Sequence, residues 1–334
     1  MTEFLPLGKL PLEFLEKLIK KYVHTDARVV VGPRIGEDAT VIDCGEKYLV
    51  AKTDPITFVA EDIGYYIIQV NANDIATMGA RPKWFLATLL LPEKTTTEKL
   101  VEDIFSRVSR ACQELDISLC GGHVEITYGL DRPIIVGQML GEMEKGKLIR
   151  SSGTRVGDNI LLTKGIAIEG TSVIARERGE ELEKKFGKEF LQRTRNYLYE
   201  PGISIVREAL MAVESGEVHA MHDPTEGGLA TGLYELSKAS QTGMIIYEEK
   251  IPVLPECQVL CERFGLNPLG LMASGALIIA LPPEDSEKLH ALYQQEGIKS
   301  SIIGKVVEKK AGLSLGQSKL PYFARDEITK IFKD

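Results

Sequence analysis

"RIGEDATVID", residues 34 to 43, places a glycine and two acids, Gly36-Glu37-Asp38, inside an otherwise strand-like run of residues. Val29, Val30 and Val31 come before these three residues, and Val41 and Ile42 follow them. Acids among β-forming residues have two explanations. One is a surface turn, where Asp and Glu are common. The other is an acidic site, built where backbone and ligand come close.

Strand and helix patterns alternate along the whole chain. The predicted strands are residues 27–32, 39–45, 47–54, 83–92, 117–127, 132–143, 274–282 and 300–308. The predicted helices are residues 9–22, 63–79, 95–115, 203–213, 226–239 and 285–295, together with a charged, solvated helical segment at 175–198. Thr95 and Glu98 have the spacing of a capping box at the start of the third helix. The alternation predicts an α/β (α+β) fold.

The length of the chain, 334 residues, is comfortable for two domains. "SSGTRVGDNILLTKG" has the composition of a boundary turn that leads into a new strand. We therefore divide the chain near residue 150, into an N-terminal domain of residues 1–150 and a C-terminal domain of residues 151–334. Both halves mix strands and helices, so two α/β domains are expected.

Composition and charge narrow the class of partner. Hydrophobic residues make up 44% of the chain and charged residues 26%, as in an ordinary globular protein. The net charge of −8 argues against nucleic acid as the main partner. The five cysteines suit a reducing cytosol, and no apolar run approaches the ~20 residues of a membrane helix. We therefore expect a cytoplasmic protein that binds neither nucleic acid nor membrane.

Four carboxylates, Asp38, Asp54, Asp74 and Glu125, do not belong to any charge-alternating helix face. Three of the four lie beside a glycine or at the end of an apolar element. A buried carboxylate is costly unless it is paired or binds a cation. Mg²⁺ prefers hard oxygens and commonly shares them with nucleotide phosphates, so these acids are candidate ligands. The alternative is that they occupy ordinary turn, helix and strand-edge positions, where Asp and Glu are common.

"HDPTEGGLATGLYELS" carries the strongest local signal. Gly227 and Gly228 stand at the start of a predicted helix, where free N–H groups and the positive dipole end favour a phosphate. His222 and Asp223 begin the loop that leads into this helix. A capped helix after a proline turn, in which glycine allows close packing, explains the pattern equally well.

A second glycine pair, Gly121 and Gly122, precedes His123. Such a pair lets the backbone approach a ligand, and an imidazole can hold a phosphate or pass a proton. The alternative is a hydrogen-bonded core histidine, which is the commoner case. Ser274 and Gly275 precede a buried strand and are interpreted as a plain turn. The chain contains no P-loop, dinucleotide fingerprint or nucleophile elbow.

The order of these motifs resembles the PurM-like ATP-binding superfamily. "GEDATVI", "AKTDP", "NANDIATMGARP", "GGHVEIT" and "HDPTEGGLATGLYELS" follow one another along the chain. That superfamily includes aminoimidazole ribonucleotide (AIR) synthase, thiamine-monophosphate kinase and the hydrogenase maturation factor HypE. "HDPTEGGLA", with "IPVLPE" after it, is most similar to HypE. The resemblance spans residues 30 to 310.

The resemblance implies two domains per chain, with the strands of the N-terminal domains pairing across a homodimer. It implies ATP and Mg²⁺ in a cleft of that domain, and metal and phosphate ligands at Asp38, Asp54 and Asp74. The further nucleotide-binding residues that it implies are Gly121, Gly122, Asp223, Gly227 and Gly228. Our hypothesis for catalysis is that His123, Glu125 and His222 handle protons or phosphate.

The implied activity is ATP-dependent phosphorylation or dehydration of a second substrate, which the sequence does not identify. HypE carries its reactive cysteine in a Pro-Arg-x-Cys tail, whereas this sequence has no cysteine after Cys261. HypE also uses a lysine and a glutamate for dehydration, at positions that match Glu125 and Ser274 here. Two alternatives therefore stay open. One is an ATP-binding accessory factor that assembles with a partner in hydrogenase maturation, and the other is a phosphotransferase resembling thiamine-monophosphate kinase.

Overall fold

The computed structural model describes Leu5 and residues 10–34, 36–57 and 61–332, apart from the side chain of Leu12. Among these residues the chain forms ten α-helices and two mixed β-sheets. This architecture confirms the α/β class predicted from the sequence. Each helix in the described part of the chain is too short or too polar to span a bilayer.

The first sheet contains six strands from the first half of the chain. They are β1 (Val29–Val31), β2 (Thr40–Asp43), β3 (Lys47–Ile56), β4 (Arg81–Pro92), β5 (Ser118–Thr127) and β6 (Ile134–Glu144). Their order in space is β1-β2-β3-β6-β4-β5. β4 and β5 are parallel, whereas the other neighbours are antiparallel. The parallel pair requires a crossover, which is the helix α3 (Glu98–Glu114).

Two further helices belong to this half, α1 (Leu12–Tyr22) and α2 (Ile63–Thr77). α2 is buried along nearly its whole length, because one side packs under the sheet and the other meets the second half of the chain. Ile67 and Ile75 of α2 belong to the same buried cluster as Phe85 and Met139 of the sheet. α2 therefore places its polar residues in the interior of the molecule.

Several helix starts differ from the prediction by two or three residues, and those of α1 and α3 have a clear physical cause. α1 begins at Leu12 and not at residue 9, which itself lies outside the described residues. Pro11 is extended, with ψ 128°, and proline disfavours a helical conformation in the residue before it. α3 is capped by Thr97 and not by Thr95, because the side chain of Thr97 accepts a hydrogen bond from the Leu100 N–H at 3.2 Å.

The second sheet is formed by seven strands from the second half of the chain. They are β7 (Asn159–Thr163), β8 (Ala220–His222), β9 (Thr242–Ile246), β10 (Ile278–Leu281), β11 (Ser300–Glu308), β12 (Leu313–Leu315) and β13 (Ser318–Lys319). Their order is β13-β12-β9-β11-β7-β10-β8. The remaining helices are α4 (Ile168–Glu177), α5 (Gly179–Phe186), α6 (Lys188–Asn196), α7 (Val206–Ser215), α8 (Gly228–Ser240), α9 (Pro255–Phe264) and α10 (Pro283–Gln295).

The two halves share a buried interface. Ile75 of α2 and Met78, directly after α2, belong to one apolar cluster with Ile205 and Ala209 of the second half. α2 also packs against α7. The strands of the two sheets come from either side of residue 150, and the domain division at that residue stays a prediction.

β5 contains a bulge that changes the direction of its later side chains. Phe85 of β4 is aligned with Leu119, but the next residue, Leu86, is aligned with Gly121. Cys120 is therefore an extra residue in β5, and the alternation of side chains restarts after it.

Candidate functional site

Three of the predicted carboxylates meet around Lys52, a residue that the sequence analysis missed. Lys52 Nζ lies 3.0 Å from Asp74 Oδ2 and 3.4 Å from Asp54 Oδ2. Lys52 and Asp54 are two residues apart on β3, so both side chains point to the same face of the sheet. α2 covers that face and carries Asp74. Asp38 is near enough for its charge to act on both Lys52 and Asp74.

Opposing charges set the protonation of this cluster. Burial lowers the pKa of Lys52, but Asp74, Asp54 and Asp38 outweigh it and raise that pKa above its ordinary value. Burial raises the pKa of Asp74, Lys52 opposes the rise, and the charges of Asp54 and Asp38 add to it, so that the pKa is about 7. Asp74 Oδ2 is within ion-pair distance of Lys52 but accepts no well-directed hydrogen bond. The cluster therefore holds more negative charge than one lysine offsets.

His222 connects this cluster to the second half of the chain. Its Nδ1 atom lies 3.0 Å from Asp38 Oδ1, and its Nε2 atom lies 3.0 Å from Glu235 Oε2. Burial lowers the pKa of His222, but Asp38 and Glu235 outweigh it and raise the pKa well above its ordinary value. A ring that faces an acceptor at each nitrogen donates from both. In this arrangement His222 is a buried imidazolium, and neither nitrogen keeps a lone pair for a proton.

Asp223 is held next to the cluster by Asn73 of α2. Asn73 Nδ2 donates to Asp223 Oδ2 at 3.1 Å and to the Ile203 carbonyl at 2.8 Å, and its Oδ1 atom accepts from the Ile205 N–H at 2.9 Å. Burial raises the pKa of Asp223 well above its ordinary value, and the charge of Asp74 adds to this effect. The sequence analysis missed Asn73, although it stands beside Asp74 in "NAND".

The oxygens of this cluster fit a hard cation. Within the described residues, no three His, Cys, Asp or Glu side chains already surround one point as a metal site would require. However, Asp223 Oδ1 is buried and accepts no hydrogen bond, which is uncommon for a buried carboxylate, and buried Asp74 Oδ2 is held by the ion pair with Lys52. Mg²⁺ usually keeps several waters and takes only one or two carboxylates plus phosphates. Asp54 keeps a side-chain exposure of 37%, so the cluster is open to solvent on that side.

The opening stretch of the sequence is docked against α8. Gly36 has φ 86°, and a Cβ atom there would lie 3.2 Å from the carbonyl oxygen of Glu235. Glu37 has a side-chain exposure of 3%, and its Oε1 atom accepts a hydrogen bond from the Ser152 hydroxyl at 3.3 Å. Asp38 faces His222. The acids of this loop are therefore held in contact with the second half of the chain, and they do not form a free surface turn.

The glycine pair Gly227 and Gly228 at the start of α8 has partners within the chain. The Gly227 N–H donates to Asp326 Oδ2 at 2.6 Å, so a carboxylate of this chain lies at the N-terminus of α8, where a phosphate was predicted. Gly228 has φ 62°, and a Cβ atom there would lie 2.6 Å from the Leu271 carbonyl oxygen. These contacts favour the packing explanation of the glycine pair. Nucleotide binding by Gly227 and Gly228 stays a prediction.

The GGH motif lies on β5, which is exposed along almost its whole length. Gly122 has φ 152°, and a Cβ atom there would overlap the Ala87 carbonyl oxygen, so glycine allows β5 to approach β4. The same conformation occurs at Gly121, with φ 156°. His123 Nε2 lies 3.4 Å from Glu125 Oε2, and both side chains are exposed.

Strand register separates His123 from the aspartates within one chain. Asp54 of β3 is aligned with Gly137 of β6, Ala87 of β4 and Gly122 of β5. His123 is the next residue in β5, so its side chain points to the opposite face of the sheet. Three steps between strands also separate Asp54 from β5 by about 14 Å. The structure thus gathers the aspartates and His222 in one place and leaves His123 and Glu125 on another surface.

Two α/β halves with buried aspartates at their junction define a protein of PurM-like architecture. Residues 36–143 match the family model for the N-terminal domain of AIR synthase related proteins, and residues 155–315 match that for the C-terminal domain. Carbamoyl dehydratase HypE of Azotobacter vinelandii is 30% identical over 257 residues, which cover 76% of this chain and 72% of that protein. The chain therefore belongs to the AIR synthase related, PurM-like family.

Other relatives have different names. A protein of Methanocaldococcus jannaschii named for hydrogenase expression and formation is 28% identical over 314 residues, 92% of this chain and 90% of that protein. Thiamine-monophosphate kinase of Aquifex aeolicus is 25% identical over 298 residues, 83% of this chain and 91% of the kinase.

Two solved structures share the fold. A HypE–HypF complex has a TM-score of 0.74 at 23% identity and covers 93% of this chain and 99% of that one. HypE in complex with ATP has a TM-score of 0.71 at 22% identity, and the match covers 95% of this chain and 96% of that one.

Proposed function

We propose that this chain is an ATP- and Mg²⁺-dependent enzyme, related to HypE and AIR synthase, that phosphorylates or dehydrates a second substrate. The observation that carries the proposal is the meeting of Asp38, Asp54, Asp74 and Asp223 at the junction of the two halves. Asp223 has a buried oxygen without a hydrogen bond, and the buried Oδ2 atom of Asp74 is held by an ion pair with Lys52. A related protein of the same fold has been solved with ATP, which supports a nucleotide as the ligand.

The residues of the cluster have separate tasks in this proposal. Asp38, Asp54 and Asp74 hold Mg²⁺, which when bound neutralises charge on the nucleotide phosphates. Lys52 offsets the mutual repulsion of the three carboxylates, so they stay together without the metal. Asn73 orients Asp223 through one carboxylate oxygen and leaves the other available.

We also propose a homodimer that forms through the first sheet. Its β5 edge is exposed, and α2 and α3 pack on one face of the sheet. The other face carries Trp84, Leu86 and Leu140, which are half-buried or exposed. An unpaired edge beside an apolar face favours pairing with another chain.

Replacement of Asp54 tests the nucleotide site. Asp54→Asn should weaken Mg–ATP binding by at least about tenfold, because it removes the charge of a proposed metal ligand. Isothermal titration calorimetry measures the affinity, and thermal melting checks that the variant is folded. Asp43→Asn, on β2 of the same sheet, is the matched control. Equal Mg–ATP affinity in the wild type and Asp54→Asn would reject the assignment.

One observation favours a second function, that of an ATP-binding accessory factor without turnover in hydrogenase maturation. Within one chain, none of the three predicted proton-transferring residues is in place: His222 is engaged at both nitrogens, and His123 and Glu125 lie on the other face of the sheet. A relative of the same fold has been solved as a HypE–HypF complex. ATP hydrolysis by the purified chain alone would exclude the accessory function.

A kinase resembling thiamine-monophosphate kinase is the remaining candidate, supported by the Aquifex relative. A panel of phosphate acceptors would test it, since a kinase should consume ATP only with its acceptor.

We place the protein in the cytoplasm, because all five cysteines are free thiols, two of them exposed.

A further inference from the structure

We propose that Glu235 is a positioning residue of the nucleotide site: through the ring of His222 it fixes the carboxylate of Asp38. This inference rests on the proposed function, in which Asp38 is a metal ligand. Glu235 is on α8, in the second half of the chain, and Asp38 is in the loop between β1 and β2. Neither the family resemblance nor the motif spacing singled out Glu235.

The geometry is a chain of three side chains. His222 Nε2 lies 3.0 Å from Glu235 Oε2, while Nδ1 lies 3.0 Å from Asp38 Oδ1 and 3.3 Å from Asp38 Oδ2. The side-chain exposures are 5% for His222, 10% for Asp38 and 17% for Glu235. An imidazole is rigid and planar. Fixing one nitrogen with a hydrogen bond therefore fixes the direction in which the other nitrogen points.

α8 also supports this arrangement through its backbone. A Cβ atom on Gly232 would lie 3.2 Å from His222 Cδ2, so the ring packs closely over the helix at this glycine. Gly36, two residues before Asp38, packs against the backbone carbonyl of Glu235. Glu235 thus contacts the loop of Asp38 through its main chain, and it contacts His222, which faces Asp38, through its side chain. The position of α8 determines where the carboxylate of Asp38 lies.

Loss of this contact should free the ring of His222 to rotate. Asp38 would then lose a directed N–H donor while it remains close to Asp54 and Asp74, whose charges repel it. The loop would move away from the position in which three carboxylates share one cation. Residues that orient metal ligands typically change metal affinity by roughly 10–100-fold when they are replaced.

Glu235→Leu is the test variant, because leucine has a similar size and suits a helix but accepts no hydrogen bond. Hydrogen exchange of the metal-free protein should become roughly tenfold faster at residues 36–43, since a charged hydrogen bond that anchors the loop is lost. Mg–ATP affinity, measured by calorimetry, should fall by roughly 10–100-fold. Glu249→Leu, at an exposed glutamate of the same half, should change neither quantity.

Two further measurements separate positioning from a general structural role. Glu235→Gln keeps an acceptor for His222 Nε2, so it should restore most of the exchange protection and most of the affinity. In an Asp38→Asn background, Glu235→Leu should cause little additional loss of Mg–ATP affinity, because both changes act on the same carboxylate. Additive losses in this double-mutant cycle, or equal damage from Leu and Gln, would overturn the proposal.

The exchange measurement needs neither metal nor nucleotide. Unchanged exchange at residues 36–43 in Glu235→Leu would therefore overturn the positioning role, whatever the wild type binds. A wild-type protein that binds no Mg–ATP would instead reject the proposed function, and the exchange result would still decide whether Glu235 holds the loop.

Discussion

Replacing Glu169 with glutamine should stabilise the protein at alkaline pH and have a much smaller effect at acidic pH. Glu169 lies in the first turn of α4, has a relative exposure of 5%, and its Oε2 atom accepts no hydrogen bond. Burial raises the pKa of this carboxyl group to about 7. Ser274 lowers the pKa in part, whereas the charges of Asp326 and Glu226 raise it.

The sign and size of the effect follow from proton linkage. A carboxyl group whose pKa is higher in the folded state binds its proton more tightly there, so stability falls as pH rises between the two pKa values. For an unfolded pKa of 4.5 and a folded pKa of about 7, the wild type loses about 2.5 kcal/mol between pH 5 and pH 8 through this group. Glutamine does not titrate and should not show this loss.

Urea denaturation at pH 5 and pH 8 measures this difference. Glu169→Gln should gain about 2.5 kcal/mol relative to the wild type when the pH is raised from 5 to 8. Glu249→Gln removes the same charge at an exposed position and should follow the wild-type curve at both pH values. A stability difference between Glu169→Gln and the wild type that does not change with pH would refute the argument that burial controls this carboxyl group.

Two other replacements test contacts that hold the fold together. Asn73→Ala removes three buried hydrogen bonds, and at about 1 kcal/mol each we expect a loss of about 3 kcal/mol in urea denaturation. A loss below about 1 kcal/mol would mean that water replaces the amide. Thr97→Ala should cost about 1 kcal/mol in the same assay, because Thr97 caps α3, and Thr95→Ala should cost less. The reverse order would show that the cap lies at Thr95.

The long elements were predictable because their periodicity is visible over many residues. β6 alternates buried and exposed positions along its 11 residues, and the apolar residues of α2 repeat at helical spacing. β8 and β9 have only three and five residues, too few to show a period, and neither strand was predicted. The charged segment was predicted as helical, but Gly179 and Gly187 divide it into separate helices.

The site was predictable only in part. Asp38, Asp54 and Asp74 were identified because acids among apolar residues are unusual at the level of sequence. Lys52 and Glu235 were missed, because their importance depends on partners that only the folded chain supplies. Glu235 and His222 are 13 residues apart, but Asp38 and His222 are 184 apart. Similarly, Gly227 meets Asp326 across 99 residues, and no local pattern indicated that an internal carboxylate would occupy the helix start.

The extra residue at Cys120 has a consequence for the faces that β5 presents. Because side chains alternate along a strand, this one residue exchanges the two faces over the rest of β5, relative to a strand that pairs without a bulge. If Cys120 itself paired with Leu86 and every later residue moved on by one position, His123 and Glu125 would turn towards α3, and Val124 and Ile126 would turn the other way. A deletion of Cys120 would instead remove the bulge and keep the pairing of Gly121 with Leu86, so a neighbouring molecule would still meet the same side chains.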